Sequence, residues 1–440
     1  MRFEKIGGIF VKNRFKKGLV TLVLSGLVTF SAGTAWAEAV QLSLEESINM
    51  ALNNNKTIKV ALADKEAATW KVNEAKGNSN INIAARHSTA RYRAYNSTKT
   101  AYGIADLYSN SITASLPIYT GGKIEGAIKQ AEVGAEIADL GLVNTVQQVK
   151  MDATVGYYNI LQANNLVQVS QQSVDSLNEH LKNVKAQYSV GTVAKSDVLR
   201  SEVELANAQQ NLIKAQNNLE LAVSSFNNIV GLPLETEVTV KDELKYQQYD
   251  KSLEESIAYA KEHRPDGLQA TKSIDAAKAG VKVAESGKLP QLSFQGTSGW
   301  SNDEFPGTHY STWQVAVVAD MNLFDGNVTK AKVRQAEASL TKSVEQANQK
   351  QDVIQLEVRQ AYLNMLEAEK RITTSKVTVD KGQEDFKIAQ VRYSAGVGTN
   401  LDVIDSQLAL TQAKTNYIQA MYDYNTSRAK LDKAMGIAVL

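Results

Sequence analysis

Few side chains in this 440-residue sequence are spaced for chemistry. The four histidines, His87, His180, His263 and His309, are scattered, with no i,i+4 pair and no carboxylate run beside them, so a metal-binding spacing is missing. There is no cysteine, which excludes disulfides, thiolate-bound metals and a lipidated N-terminal Cys. Gly121-Gly122 and Gly396-Val397-Gly398 follow neither phosphate-loop pattern and read as turns. What remains is electrostatic: Asp402 and Asp405 stand three apart and so share a helix face. The plainer reading is that Asp197 caps its helix and Asp402 favours a helix dipole. The expectation is a protein that is not an enzyme and uses no cofactor.

The elements that must position this pair occur twice. Leu44-Glu45-Glu46-Ser47-Ile48 returns as Leu253-Glu254-Glu255-Ser256-Ile257, and Tyr188-Ser189-Val190-Gly191 returns as Tyr393-Ser394-Ala395-Gly396. The offsets, 209 and 205 positions, leave only a few residues of insertion between two long units, unlike a solenoid of short repeats. Each unit predicts one helix (43–77 and 252–287) behind an N-capping serine, Ser43 or Ser252. Two strands follow, about 80–92 and 108–118 in the first unit, 290–300 and 312–323 in the second. Tyr108, Ile112, Ala114, Leu116 and Ile118 share one strand face, with Ser109, Ser111, Thr113 and Ser115 on the other. Trp313, Val315, Val317, Ala319, Met321 and Leu323 oppose Thr312, Gln314, Asp320 and Asn322 in the same way.

Helical patterns then run over 123–187 and 328–393. Each turns at a glycine-bearing tip and returns over 196–231 or 400–435. Sixty-five helical residues make a rod of roughly 100 Å, which points to bundle or coiled-coil packing. The domain reading is 1–37 as a signal peptide, 38–232 and 252–440 as the two structural repeats, and 233–251 as a strand-and-turn linker.

The first 37 residues carry a basic segment (Arg2, Lys5, Lys12, Arg14, Lys16, Lys17), an apolar run from Leu19 to Val28, and Ala35-Trp36-Ala37, the marks of a cleaved export signal. Removing six basic groups and Glu4 takes a net +5 from a total of +1 and leaves −4, which disfavours nucleic acid as a partner. The mature chain has no apolar helix long enough to span a bilayer, whereas two hairpins, apolar on one side and small-polar on the other, fit strands between lipid and lumen. The alternative is an ordinary half-buried sheet in a periplasmic helical tether or scaffold without channel activity. Four strands cannot close a barrel, and an open edge in hydrocarbon leaves backbone groups unpaired at several kcal/mol each. Several chains must then share one barrel; three would supply twelve strands.

The duplicated plan of helix, hairpin, long helix, tip and helix over about 42–437 resembles the TolC-type outer-membrane efflux proteins. The resemblance rests on the tips Tyr188-Ser-Val-Gly-Thr-Val-Ala-Lys-Ser-Asp-Val-Leu199 and Tyr393-Ser-Ala-Gly-Val-Gly-Thr-Asn-Leu-Asp-Val-Ile-Asp405. Leu289-Pro-Gln-Leu292 and Leu323-Phe-Asp-Gly326 add to it. It implies a mainly α fold with a membrane β-barrel: tandem-duplicated long helices form a periplasmic α-helical barrel, and four transmembrane strands per chain join a shared twelve-stranded trimeric barrel. It also implies a homotrimer in outer-membrane lipid, with a large periplasmic portion, acting as an exit duct with a periplasmic adaptor and an inner-membrane pump. In that family, aspartates at the places of Asp402 and Asp405 line a cation-selective periplasmic constriction, and Tyr393 and Asp197 fall where gate-holding hydrogen bonds are made; Tyr188 is the first-repeat counterpart of Tyr393. Gly398 stands where some members carry a gate-tying arginine, and Arg200 takes the place of Asp405 in the first repeat. The pump's adaptor, also exported and rich in helical hairpins, is a poorer match because it lacks this tandem duplication.

Overall fold

The computed structural model describes residues 40–95 and 102–437. The export signal expected over 1–37 lies outside the described residues. In chain order the elements are β1 (Val40–Leu42), α1 (Leu44–Asn54), α2 (Lys56–Gly77), β2 (Asn82–Tyr95), β3 (Tyr102–Tyr119), α3 (Lys123–Ser189), α4 (Lys195–Val230) and β4 (Val238–Val240). There follow α5 (Leu253–His263), α6 (Pro265–Glu285), β5 (Gln291–Asn302), β6 (Tyr310–Asp320), α7 (Val328–Ser394) and α8 (Asn400–Met435).

Ser43 and Ser252 each close a capping box with the glutamate three residues on, Glu46 or Glu255, which explains why both repeats start a helix at the same place. The single helix expected after each cap is in fact two. Asn55 ends α1 in an extended conformation and caps α2, and its Nδ2 donates to the Ile229 carbonyl at 2.9 Å, pinning the kink to the end of α4. In the second repeat Arg264 precedes Pro265, whose ring pushes it out of the helical region while seating itself at the start of α6. Both hairpin strands of the first repeat run further outward than their apolar pattern, to Tyr95 and from Tyr102, and β6 covers 310–320 rather than 312–323. β1 was not legible. It pairs in parallel with β4 of the 233–251 segment, Val40 against Val238, and ties the two ends of the first repeat together.

α3 and α7 each hold 67 residues, about 100 Å at 1.5 Å per residue. α4 and α8 return beside them and stop at Gly231 and Gly436, whose φ of 79° and 73° only glycine adopts freely. α3 packs on α4, α7 on α8, and α3 on α8, so the four form a layer in the order α4-α3-α8-α7. Nearer the sheet the order is α2-α3-α6-α7. Each repeat has its own buried core: Tyr157, Ile160, Phe226 and Val230 in the first; Ile354, Met365, Tyr424 and Leu431 in the second. A third, smaller core joins the two tips through Leu181, Val184, Val198, Ala389, Tyr393 and Val403.

The hairpins form one antiparallel sheet, β2-β3-β5-β6, with a register irregularity between Pro117 and Tyr119. Cross-strand partners share a face. One face gathers Ile83, Ile112, Leu116, Phe294, Val315 and Val317, and Trp313 on it is 81% exposed. The opposite face gathers Asn82, Ser109, Ser111, Thr113, Gln295, Thr297 and Gln314. Among the described residues no helix is long and apolar enough to cross a membrane.

Candidate functional site

The tips bring together residues that lie about 200 positions apart. Tyr393, in the last turn of α7, is buried, and its ring meets that of His180 on α3 edge-on at 5.0 Å between centroids. Its hydroxyl is buried without a hydrogen-bond partner among the described residues. Burial, and then the charge of Asp197, push that hydroxyl's pKa up. Asp197 thus lies near Tyr393, but the expected hydrogen bond between them is not made within one chain. Nor does Asp197 cap its helix: the capping position belongs to Ala194, and Asp197 sits in the first turn of α4.

The bonds that hold the tips run through residues the spacing did not single out. Asn400 opens α8 and is buried; its Nδ2 donates to the Asp197 carbonyl at 3.1 Å. That fixes the amide so that its Oδ1 accepts from His180 Nε2 at 2.6 Å, with Ser201 Oγ 3.1 Å away. His180 is therefore protonated on Nε2 when neutral, and burial lowers its pKa. Together His180, Ser201, Tyr393 and Asn400 contribute one residue from each of the four long helices. One sign was available in advance: His180 follows Ser173 and Leu177 and precedes Val184 at the 4-3-4 spacing of a helix seam, so it had to be buried.

Asp402 and Asp405 lie on the exposed side of α8. Asp402 completes a capping box with Thr399, accepting from the Thr399 amide at 2.9 Å, and this amide, then the Thr399 hydroxyl and Arg392, hold its carboxyl below the usual range. Asp402 thus caps its own helix while its side chain stays exposed. Tyr188, the counterpart of Tyr393, is 45% exposed and belongs to no such cluster. Gly398 is a close approach: a Cβ there would lie 3.0 Å from the Tyr393 amide nitrogen and 3.1 Å from Arg392. A larger residue in its place would displace the turn. Arg392 instead reaches the Val397 carbonyl at 3.4 Å from the preceding turn.

A second polar cluster marks the level where α5 gives way to α6. Arg264 is 3% exposed and forks onto Asp266, with Glu357 of α7 as a further partner; Lys350 meets Asp266 at 2.8 Å. The remaining histidines have local roles. His87 bonds Asn110 and Thr89, His263 stacks on Tyr259, and His309 meets Tyr310 edge-on. Among the described residues no group of side chains is placed to hold a metal ion.

Comparison with known proteins agrees with this architecture. The profile of a family described as Outer membrane efflux protein matches residues 47–232 and 257–437. Outer membrane protein TolC of Escherichia coli K12 is 24% identical, with 95% of this chain and 85% of that protein aligned. Alkaline protease secretion protein AprF of Pseudomonas aeruginosa is 23% identical over 76% of this chain and 70% of its own length. Among solved structures, the Campylobacter jejuni CmeC outer membrane channel superimposes with a TM-score of 0.80 at 17% identity, covering 89% of this chain and 85% of that one. With both repeats matched by the same profile, the chain belongs to the outer membrane efflux protein family.

Proposed function

We propose that three copies of this chain close into an outer-membrane exit duct, a twelve-stranded barrel continuous with a periplasmic helical tunnel. One observation carries this reading: both layers of the fold end in open edges, unpaired backbone in the sheet and exposed apolar side chains in the helices. In the sheet, β2 and β6 have unpaired outer sides. In the helical layer, α4 and α2 end one side and α7 the other, and each bares large apolar residues. These include Trp70 on α2, Val203 and Ile213 on α4, and Leu356, Leu363 and Val377 on α7. The two edges differ from each other, so copies join head to tail, a contact that gives a ring where the rotation closes and an open filament where it does not. Sheet edges cannot stay open in hydrocarbon, which makes closure obligatory.

In that ring the apolar sheet face meets lipid and the Ser/Thr/Gln face lines the lumen. Transport is passive, with energy supplied by an inner-membrane pump reached through a periplasmic adaptor. The words "secretion" for AprF and "channel" for CmeC support an export role. The gate lies at the tips. Asp402 and Asp405 from each chain make a ring of negative charge at the narrow end, Tyr393 and Asp197 hold its wall, and Tyr188 lies at the neighbouring tip. The division into repeats at 38–232 and 252–440, joined by 233–251, is part of the same reading.

Purified from outer membranes, the protein should run as a heat-modifiable trimer and form ion-conducting channels in planar bilayers. A soluble, elongated monomer in detergent-free buffer would instead establish the tether reading.

A further inference from the structure

The lumen-facing side of the sheet carries one guanidinium. Its cross-strand rows read Asn82-Ser115-Gln295-Ala316, Ala84-Thr113-Thr297-Gln314, Arg86-Ser111-Gly299-Thr312 and Ser88-Ser109-Ser301-Tyr310 across β2, β3, β5 and β6. Arg86 is exposed, and no carboxylate among the described residues pairs with it. Its own row holds only Ser111, Gly299 and Thr312, so nothing bulky or acidic lies beside it in register. The other charged residue on this face of the described strands, Asp320, pairs with Gln291, eight residues along β5 from Gly299. At about 3.3 Å per residue that is roughly 26 Å along the strand, beyond two screening lengths at physiological salt.

We infer that Arg86 forms an anion-selecting ring inside the barrel, a site for small anions and for cargo bearing phosphate or carboxylate groups. The inference rests on the trimeric duct proposed above. Twelve strands about 4.8 Å apart, tilted by about 40°, close at a backbone radius of roughly 12 Å. An extended arginine reaches about 6 Å inward, so three guanidiniums stand some 6 Å from the axis. Coulomb's law in water, screened over about 8 Å, then gives an enrichment of a monovalent anion on the order of fivefold to tenfold at the ring. The guanidinium stays charged at every working pH and forks onto oxyanions through two parallel donors, so polyanions are held more tightly than chloride. The duct would carry opposite charge at its two ends, acidic at the tip and basic in the barrel.

The test uses the full chain in planar bilayers under a KCl gradient, comparing wild type with Arg86→Gln and Arg86→Lys. Each is measured with the native tip and in an Asp402→Ala/Asp405→Ala background that removes the acidic ring. The ratio of potassium to chloride permeability should rise about fivefold in Arg86→Gln and little in Arg86→Lys. Inorganic triphosphate added on the barrel side should block wild type and lose most of its potency against Arg86→Gln. An unchanged ratio and unchanged block in trimers that still conduct would overturn the assignment. If wild type forms neither trimers nor channels, the duct reading itself has failed and the ring falls with it.

Discussion

At the second tip Tyr393 is buried against His180, Asn400 is clasped between two helices, and Thr399 and Asp402 close a capping box. At the first tip Tyr188 is 45% exposed, the helix starts at Ala194 without a side-chain cap, and Lys195 and Arg200 replace Asn400 and Asp405. The backbones of the two tips are alike, down to the offset of 205. The level where each repeat kinks shows the same pattern, a lone asparagine in the first and a four-residue ion cluster around the buried Arg264 in the second. Duplication therefore preserved what local sequence encodes, the helix lengths and turns. Divergence acted on residues that other helices cover, such as Asn400, and on exposed ones such as Asp405. In the proposed ring only some helices would form the lining, and the carboxylate pair Asp402 and Asp405 is found in the second repeat alone.

The contrast at the kinks should have the largest consequence. Arg264→Ala strips a buried cation from Asp266 and should cost about 3 kcal/mol, whereas Asn55→Ala, which removes a cap, should cost about 1 kcal/mol. Denaturant titration of the detergent-solubilised protein compares them, and equal losses would erase the distinction between the repeats. At the tips, Asn400→Leu leaves the buried His180 Nε2 donor without a partner, while the Asp197 carbonyl keeps the Ser201 hydroxyl, and should lower local stability by about 2 kcal/mol. The matched change Lys195→Leu, on an exposed position, should stay within about 0.5 kcal/mol. Hydrogen exchange at the amides of the two tips reads both.

Acid should separate the tips as well. His180 has a folded pKa below its ordinary value of 6.5, so as pH falls past 6.5 the unfolded segment takes up a proton before the folded one. Stability rises with pH across that window and is lost on acidification, from about 6.5 down to the depressed value. Exchange protection in α8 around Asn400 should therefore weaken between pH 7.5 and 5. His180→Gln, which can keep a donor but cannot titrate, should flatten the response. The smallest expected effect on the fold distinguishes the two carboxylates. Asp402→Ala should loosen the first turn of α8 through the lost capping box, whereas Asp405→Ala should leave exchange unchanged. Both should weaken cation preference in bilayers, and unchanged selectivity in the double variant would remove the carboxylate ring.

Much of this was legible in the chain itself. Capping serines, glycine stops, strand alternation and 67-residue helices follow from interactions within a few positions, which is the range over which sequence speaks directly. For the same reason the kink at Arg264 could have been read from Pro265, and the burial of His180 from its place in a helical seam. No local rule could supply the partners. β1 pairs with a strand nearly 200 residues on, Asn400 meets His180 across 220 positions, and Arg86 shares its row with Ser111, Gly299 and Thr312 only once the sheet is in register. Whether a charge is capped, clasped or left facing water depends on which element comes to rest against it, and that is settled by packing between helices and by strand register. The sequence by itself determined the rods, the turns and the two-faced strands. Only the tertiary structure decided which tip is locked, which carboxylate is spent on its own helix, and which edges are left unpaired.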